Sequence, residues 1–139
     1  MTHNKNLSSL VESAARVRQM AYVPYSGFAV GCAILSSQGS VYTGCNVENI
    51  SYPEGICAET NAIGSMVADG ETLISYIVIL GGPKDKEPIF CPPCGGCRQR
   101  IHEFANANTE IFYTGTSNAL VSAKVSELLP VSFSQLDNI

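Results

Sequence analysis

The stretch ISYIVIL, residues 74–80, is apolar and rich in β-branched side chains, and Gly81-Gly82-Pro83 follows it directly. A short apolar run that ends in turn residues is typical of a buried strand. We therefore predict a central strand over residues 74–80. The segments on either side of it, residues 57–68 and 95–104, have the composition of helices.

Further outward, apolar residues at helical spacing predict an amphipathic helix over residues 7–20. Two strands over 28–35 and 41–45, joined by the turn residues Ser37-Gln38-Gly39, predict a hairpin. Beyond residue 104, short strands are predicted over 110–113 and 120–124, and a short helix over 125–129. Helices that alternate with strands after a hairpin indicate the α/β class, with a mixed sheet covered by helices. No linker divides the chain, so we expect residues 1–139 to form a single domain.

The composition narrows the range of partners. Hydrophobic residues make up 45% of the chain and charged residues 14%, and the formal net charge is −4. The few basic residues form no stripe that could follow a phosphate backbone, which argues against a nucleic-acid partner. No apolar run reaches the ~18 residues of a membrane span, and the first residues lack the apolar core of a signal peptide. We expect a cytoplasmic protein whose substrate is a small molecule.

The chain has six cysteines, three of which stand where helices are predicted to begin. Cys94 and Cys97 are three residues apart, a spacing that places both side chains on one face of a first helical turn. Cys57 at the start of the other helix would be a third ligand. Sulfur ligands suit zinc, and three protein ligands leave one coordination position open, as in catalytic sites. An alternative is that Cys91 pairs with Cys94 across the CPPC segment, as a redox pair or a fourth ligand.

Glu59 stands two residues after Cys57, in the first turn of the same predicted helix. By itself, an acidic residue in this position is usually a solvated side chain that complements the helix dipole. Beside a metal ion, a carboxylate that does not bind the metal can instead transfer protons as a general acid–base. Glu59 is therefore the candidate catalytic residue.

Cys57-Ala58-Glu59 and Pro93-Cys94-Gly95-Gly96-Cys97 together match the signature of the zinc deaminases, in which the glutamate lies outside the metal shell. Over nearly its whole length the chain resembles the small, homotetrameric cytidine deaminases. The matching stretches are PYSGFAVGCAI (24–34), TGCNVENISYPEGICAE (43–59), PCGGCRQRIHEF (93–104) and ELLPVSF (127–133). The resemblance implies a three-layer α-β-α sandwich with a mixed five-stranded sheet.

The resemblance also implies roles for individual residues. It implies that Cys57, Cys94 and Cys97 bind Zn²⁺ and that Glu59 carries protons between the pyrimidine N3 and the amino group. The remaining roles concern substrate binding: Phe28 would pack beside the base, Asn46 and Glu48 would hydrogen-bond the ribose 3′-hydroxyl, Ala58 and Cys94 would offer backbone groups to the base and to the attacking oxygen, and Tyr52 and Phe133 would reach the active site of a neighbouring subunit.

The implied reaction is the hydrolytic deamination of cytidine and 2′-deoxycytidine to uridine and 2′-deoxyuridine, by attack of a zinc-bound hydroxide at C4, in pyrimidine salvage. Two alternatives remain open from the sequence. One is a related zinc aminohydrolase that acts on another amino-heterocycle, such as a blasticidin-type antibiotic. The other is a zinc-binding module without catalysis, in which the metal has a complete set of protein ligands.

The chain departs from the family pattern directly after the catalytic glutamate. The family usually has an arginine there, which offsets the charge of the thiolates, whereas this chain has Thr60. A threonine hydroxyl offers at most one neutral hydrogen bond, which is weaker than a charge-assisted one. We expect another residue to compensate, and Arg98 is the candidate.

Overall fold

The computed structural model describes residues 2–135, which form one five-stranded sheet with helices on both faces. The helices are α1 (Thr2–Arg18), α2 (Ala58–Ala68), α3 (Gly95–Glu103) and α4 (Val125–Leu128), and a single 3₁₀ turn covers Tyr52–Glu54. The strands are β1 (Phe28–Ser36), β2 (Val41–Cys45), β3 (Ile74–Pro83), β4 (Glu110–Thr114) and β5 (Leu120–Ala123).

The sheet has the strand order β2-β1-β3-β4-β5, with β3 in the centre as predicted. β1 pairs antiparallel with both β2 and β3, β3 pairs parallel with β4, and β4 pairs antiparallel with β5. The mixed sheet confirms the predicted α/β class. None of the helices within residues 2–135 is long and apolar enough to cross a membrane.

Alternate side chains of each strand point to opposite faces, and the two faces bury different helices. On one face, Ala33 and Val78 pack with Leu10 and Ala14 of α1. On the other, the neighbouring residues Cys32, Ile77 and Ile79 of the same strands pack with α2 and with Ile101 of α3. The result is three layers, in which α2 and α3 lie side by side on the face that carries the site.

One glycine permits the close approach of α2 to β2. A Cβ atom at Gly44 would lie 2.5 Å from Ala58 O and 2.5 Å from Ala62 N, distances that a real side chain does not tolerate. Because Ala58 opens α2, this contact fixes where the helix begins. The first turn of α2 is therefore held directly against the sheet.

The predicted element boundaries differ from the structure mainly at the ends. The helix predicted over residues 7–20 begins at Thr2 and ends at Arg18, and β3 continues three residues beyond the predicted end to Pro83. The sequence predicts a turn at Gly81 and Gly82, but both residues pair with β1, at Val30 and Ala29. The helix predicted from Cys57 begins one residue later, because Cys57 has extended backbone angles and is the N-cap.

Candidate metal centre and active site

The three predicted cysteine ligands lie at the starts of two neighbouring helices. Cys57 is the N-cap of α2, Cys94 is the N-cap of α3, and Cys97 lies in the first turn of α3. The first N–H groups of a helix have no carbonyl partner inside it, and the helix dipole is positive there. Both effects stabilise thiolates, so these positions suit sulfur ligands of a metal.

The three sulfur atoms converge on one point. Their Sγ atoms all lie within 4.8 Å of one another, and Cys57 Sγ is 3.9 Å from Cys94 Sγ. Two sulfurs that each lie about 2.3 Å from one tetrahedral zinc ion are about 3.8 Å apart. The spacing and the all-sulfur donor set therefore fit Zn²⁺. Within residues 2–135, neither Cys91 nor Glu59 belongs to this group.

A cavity of about 150 Å³ lies beside the sulfur cluster. Cys94 is exposed, Cys57 is half-buried and Cys97 is completely buried, so the cluster opens to its surroundings on the side of Cys94. A small planar molecule that enters this cavity meets two of the sulfurs and a carboxylate. The lining residues are Val30, Asn46, Cys57, Ala58, Glu59, Cys91, Pro92 and Cys94.

Glu59 is the buried carboxylate of this cavity. Its exposed fraction is only 4%, and burial raises the pKa of its carboxyl group above the ordinary value. A backbone hydrogen bond and the charge of Arg100 partly oppose this rise. A carboxyl group with a raised pKa takes up and releases a proton closer to neutral pH than an exposed one does. Its position and its environment are those of a general acid–base.

The thiols of the cluster interact strongly with one another. The Cys97 thiol donates to Cys57, which lowers the pKa of Cys57 and raises that of Cys97. Cys91, which lines the same cavity, behaves differently, because burial raises its pKa to about 11. Cys91 is therefore a neutral thiol in the cavity wall. All six cysteines are free of disulfides.

Asn46 and Glu48 follow β2 and have well-defined hydrogen bonds. Asn46 Nδ2 donates to Phe28 O (2.9 Å), and Asn46 Oδ1 accepts from Val30 N (2.9 Å), so the amide is fixed in orientation. The Glu48 carboxylate accepts from Tyr25 N, Ser26 N and Ser26 Oγ. The Ser26 hydroxyl is the main cause of a lowered pKa at Glu48. Glu48 therefore carries its charge, but it does not line the cavity beside the sulfurs.

The other predicted substrate-binding residues fall into two groups. Ala58 lines the cavity, and Phe28 lies next to it, because a Cβ at Gly81 would meet both Phe28 (3.1 Å) and Cys91 Sγ (2.5 Å). Tyr52 and Phe133 do not line the cavity and are 74% and 89% exposed. Tyr52 packs edge-on against Tyr25, with ring centroids 5.7 Å apart, beside a second cavity of about 310 Å³ that includes Glu48.

The prediction that Arg98 is the arginine beside the sulfur cluster is wrong. Arg98 donates to Pro93 O (2.8 Å) and Leu128 O (3.0 Å), so it links the start of α3 to α4. Arg100 instead donates from Nη1 to Cys97 Sγ at 3.6 Å. The spacing of three residues between Cys97 and Arg100 on one helix could have indicated this contact. Cys91, for which the sequence suggests a metal or redox role, lies in the cavity wall.

Comparison with known proteins places the whole arrangement in one family. Residues 4–114 match the family model described as "Cytidine and deoxycytidylate deaminase zinc-binding region". Cytidine deaminase from Sporosarcina psychrophila is 36% identical over 132 residues, which cover 95% of this chain and 94% of that protein. Cytidine deaminase from Halalkalibacterium halodurans is 38% identical, over 92% of this chain and 94% of that protein.

Solved structures agree with the sequence matches. The crystal structure of cytidine deaminase from Burkholderia pseudomallei superimposes with a TM-score of 0.80 at 35% identity, over 91% of this chain and 98% of that one. Blasticidin-S deaminase from Bacillus cereus is also related, at 30% identity over 91% of each chain. The match to the blasticidin enzyme is more distant than the matches to the cytidine deaminases.

Proposed function

The chain belongs to the cytidine and deoxycytidylate deaminase family, and we propose that its own residues deaminate cytidine and 2′-deoxycytidine to the uridines. One observation carries this proposal: three converging sulfurs at two helix starts and the buried carboxyl group of Glu59 line the same small cavity. Hydrolysis of an amino group needs an activated water and a carrier of protons, and these two features supply both.

Cys57, Cys94 and Cys97 are the proposed zinc ligands. When bound, zinc supplies the Lewis-acid chemistry that makes water nucleophilic at neutral pH. The three cysteines would hold the ion beside the cavity, which Cys57 and Cys94 line. Their position at two helix starts offsets the negative charge of the sulfurs with backbone N–H groups. Among residues 2–135 no fourth side chain joins the group, which supports an open, catalytic site over a closed structural one.

Glu59 is the proposed proton carrier. Its carboxylate accepts a proton from the attacking water and donates it to N3 of the pyrimidine, where it stays in the uridine. Glu59 then takes the second proton from the hydroxyl group added at C4 and delivers it to the departing amino group, as the C4–N bond breaks and the C4 carbonyl forms. Burial supports this cycle, because it raises the pKa of the carboxyl group towards the range in which both forms are accessible. The ammonia that leaves and the uridine that remains account for the atoms of water and substrate.

Phe28, Asn46, Glu48 and Ala58 are the proposed substrate-binding residues. A carboxylate has roughly four acceptor sites, and three protein donors occupy sites on Glu48, so one remains for a ribose hydroxyl. Asn46 is fixed by two backbone partners and lines the cavity beside the sulfurs, so it can bind the sugar without reorganisation. Phe28 and Ala58 give the base an apolar wall.

Tyr52 and Phe133 support a further part of the proposal, a homotetramer with its active sites at subunit interfaces. Each is a large, exposed side chain outside the metal cavity of its own chain, as are Ile50 and Val131 at 81% and 93% exposure. A contiguous patch of such side chains would mark an interaction surface. Light scattering should give four times the 14.8 kDa chain mass, and a monomer that turns over cytidine at full rate would contradict the assembly. We also propose one domain over 1–139 and a cytoplasmic location.

The decisive experiment measures the absorbance of purified, zinc-loaded protein mixed with cytidine, 2′-deoxycytidine and blasticidin S in parallel. We expect absorbance loss with both nucleosides and release of one ammonia for each uridine formed. Turnover of blasticidin S with neither nucleoside consumed would establish the alternative aminohydrolase. A protein that holds zinc with four protein sulfurs by X-ray absorption, and converts none of the three compounds, would be the non-catalytic module.

A further inference from the structure

Cys97 has three polar neighbours that are not metal ligands: Glu59, whose carboxyl group accepts a hydrogen bond from it, Arg100 and Thr60. Arg100 Nη1 donates to Cys97 Sγ at 3.6 Å, and Thr60 Oγ1 lies 3.9 Å from the same sulfur. Cys97 itself is completely buried, so any charge on this sulfur depends on the protein for compensation. The guanidinium of Arg100 carries a full charge, whereas the hydroxyl of Thr60 is neutral, so the two contacts are unequal in strength.

Two features of α3 allow Arg100 to reach this sulfur. Arg100 follows Cys97 by three residues on the helix, which places both side chains on the same face. Gly96 leaves space for the guanidinium, because a Cβ there would lie 3.0 Å from Arg100 Nη1. A larger residue at 96 would press against the charged group. The contact therefore uses the space that Gly96 leaves in the same helical turn.

The charge balance explains why a cation is needed at this position. Three thiolates on one Zn²⁺ ion leave a net charge of −1, which helix starts offset only with partial charges. In this chain the residue after Glu59 is Thr60, so α2 brings no cation to the cluster. Arg100 approaches the same sulfur from α3 and supplies the missing positive charge.

We propose that Arg100 is the charge-compensating residue of the zinc site. In this chain the positive charge comes from α3, because Thr60 of α2 is neutral. The inference rests on the proposed zinc-dependent function. Arg100 acts through Cys97 and does not touch the substrate, so it is a positioning residue. Its removal should change the metal–sulfur bond as well as turnover.

The first measurement is spectroscopic and does not depend on activity. In cobalt-substituted protein, the sulfur-to-cobalt charge-transfer band reports how strongly the thiolates donate to the metal. Arg100→Gln removes the cation from Cys97, so its sulfur donates more strongly and the band should move to longer wavelength. Arg100→Lys keeps the charge and should shift it less. Arg16→Gln, which removes an exposed charge on α1, is the matched control and should leave the band unchanged.

The second measurement is the release of zinc to an excess of chelator at constant pH. Without Arg100, the net negative charge of the loaded site is buried without a full counter-charge, and this cost outweighs the stronger sulfur–metal bond. We therefore expect zinc release to be roughly tenfold faster in Arg100→Gln. The double variant Thr60→Arg/Arg100→Gln places a cation on the other neighbour of Cys97 and should return both the band and the release rate towards wild type. The circular dichroism spectrum of the zinc-loaded variants should match that of the wild type, which separates this effect from misfolding.

The possible results distinguish a failure of the role of Arg100 from a failure of the proposed zinc-dependent function. If the wild type binds zinc and turns over cytidine, but Arg100→Gln has the band and the release rate of the wild type, Arg100 has no such role. A double variant that falls further from wild type than Arg100→Gln would also overturn the inference, because the position of the charge would then not matter as proposed. A wild type that binds no zinc or cobalt would overturn the proposed function and this inference together.

Discussion

Arg18 and Glu59 are equally buried, each with 4% of its surface exposed, yet the protein treats the two charges in opposite ways. Arg18 ends α1 on one side of the sheet, and its guanidinium donates to three backbone carbonyls: Ala29 O (2.9 Å), Lys86 O (2.8 Å) and Pro83 O (2.9 Å). Glu59 lies on α2 on the other side and lines a cavity next to three thiols.

The difference shows how a buried charge can serve structure or chemistry. Arg18 binds the start of β1, the last residue of β3 and the segment that follows β3. It therefore stabilises the fold without lining the cavity. Glu59 is held in place by its helix while its carboxyl group faces a space that a substrate can enter. A buried charge that is bound by the chain on every side stabilises it, whereas one that faces a cavity is available for reaction.

The sharpest way to break this comparison is Glu59→Gln. The amide keeps the size of the side chain but cannot carry a proton, so we expect kcat for cytidine to fall by about 10²–10⁴-fold. Zinc content and the midpoint of urea unfolding should match the wild type, because Glu59 lies outside the sulfur cluster. Steady-state kinetics and metal analysis test this, and a variant with wild-type kcat would remove Glu59 from the proton-transfer role.

Arg18→Met should give the opposite pattern. Loss of three hydrogen bonds to a buried charged group leaves three carbonyls unpaired, so we expect the free energy of unfolding to fall by about 3 kcal/mol. At temperatures where the variant remains folded, kcat should stay close to wild type. Urea unfolding followed by circular dichroism measures the loss, and Arg16→Met on the exposed side of α1 is the control. A change of less than a few tenths of a kcal/mol would contradict the structural role.

Gly44→Ala tests whether one substitution lowers both the stability of the fold and the catalytic rate. The new Cβ would lie 2.5 Å from the backbone of α2 at Ala58 O, and overpacking of this kind typically costs about 1–3 kcal/mol. Because the displaced turn carries Cys57 and Glu59, kcat should fall as well. Gly64→Ala is the control, since a Cβ at that position of α2 meets no atom within 4 Å and a helical alanine is favoured over glycine. Equal behaviour of the two variants in unfolding and turnover would disprove the contact.

The smallest expected effect concerns the pH dependence of stability at Glu48. Its pKa in the folded protein is lowered, chiefly by the Ser26 hydroxyl, from an ordinary value of 4.5. A lowered pKa means that the stabilisation is present above pH 4.5 and is lost as the pH falls through the lower, folded-state value. The difference in unfolding temperature between wild type and Glu48→Gln should therefore be constant from pH 7 to pH 5 and shrink below about pH 4.5. A difference that grows on acidification would have the wrong sign.

Much of the fold follows from the sequence because its signals are local. The apolar run of β3, the hairpin and the helix starts each depend on short-range patterns, and the structure places them within a few residues of the predicted bounds. The three cysteines could be predicted as ligands for the same reason, since Cys94 and Cys97 are one helical turn apart and Cys57 stands at the start of the other helix. The assignment of Glu59 needed the match to a known family signature as well.

The arginines show where sequence reasoning ends. Arg18, Arg98 and Arg100 all occur near helix ends, and nothing in the sequence around them indicates which groups each one binds. Their targets depend on the rotation of each helix about its axis and on which carbonyls or sulfurs lie within reach after packing. That information is set by the tertiary contacts of α1 and α3, for example the space above Gly96, and no single segment contains it.

The two helix starts that carry the sulfurs are 37 residues apart in the chain, measured from Cys57 to Cys94. A metal ion bound by both helix starts is a cross-link, which closes a long loop and lowers the conformational entropy of the unfolded polypeptide. A covalent bridge over a loop of this length contributes roughly 3–4 kcal/mol through that entropy alone. Heat resistance of this protein should thus rise with the concentration of free zinc, so that the ion needed for chemistry also acts as a clasp between α2 and α3.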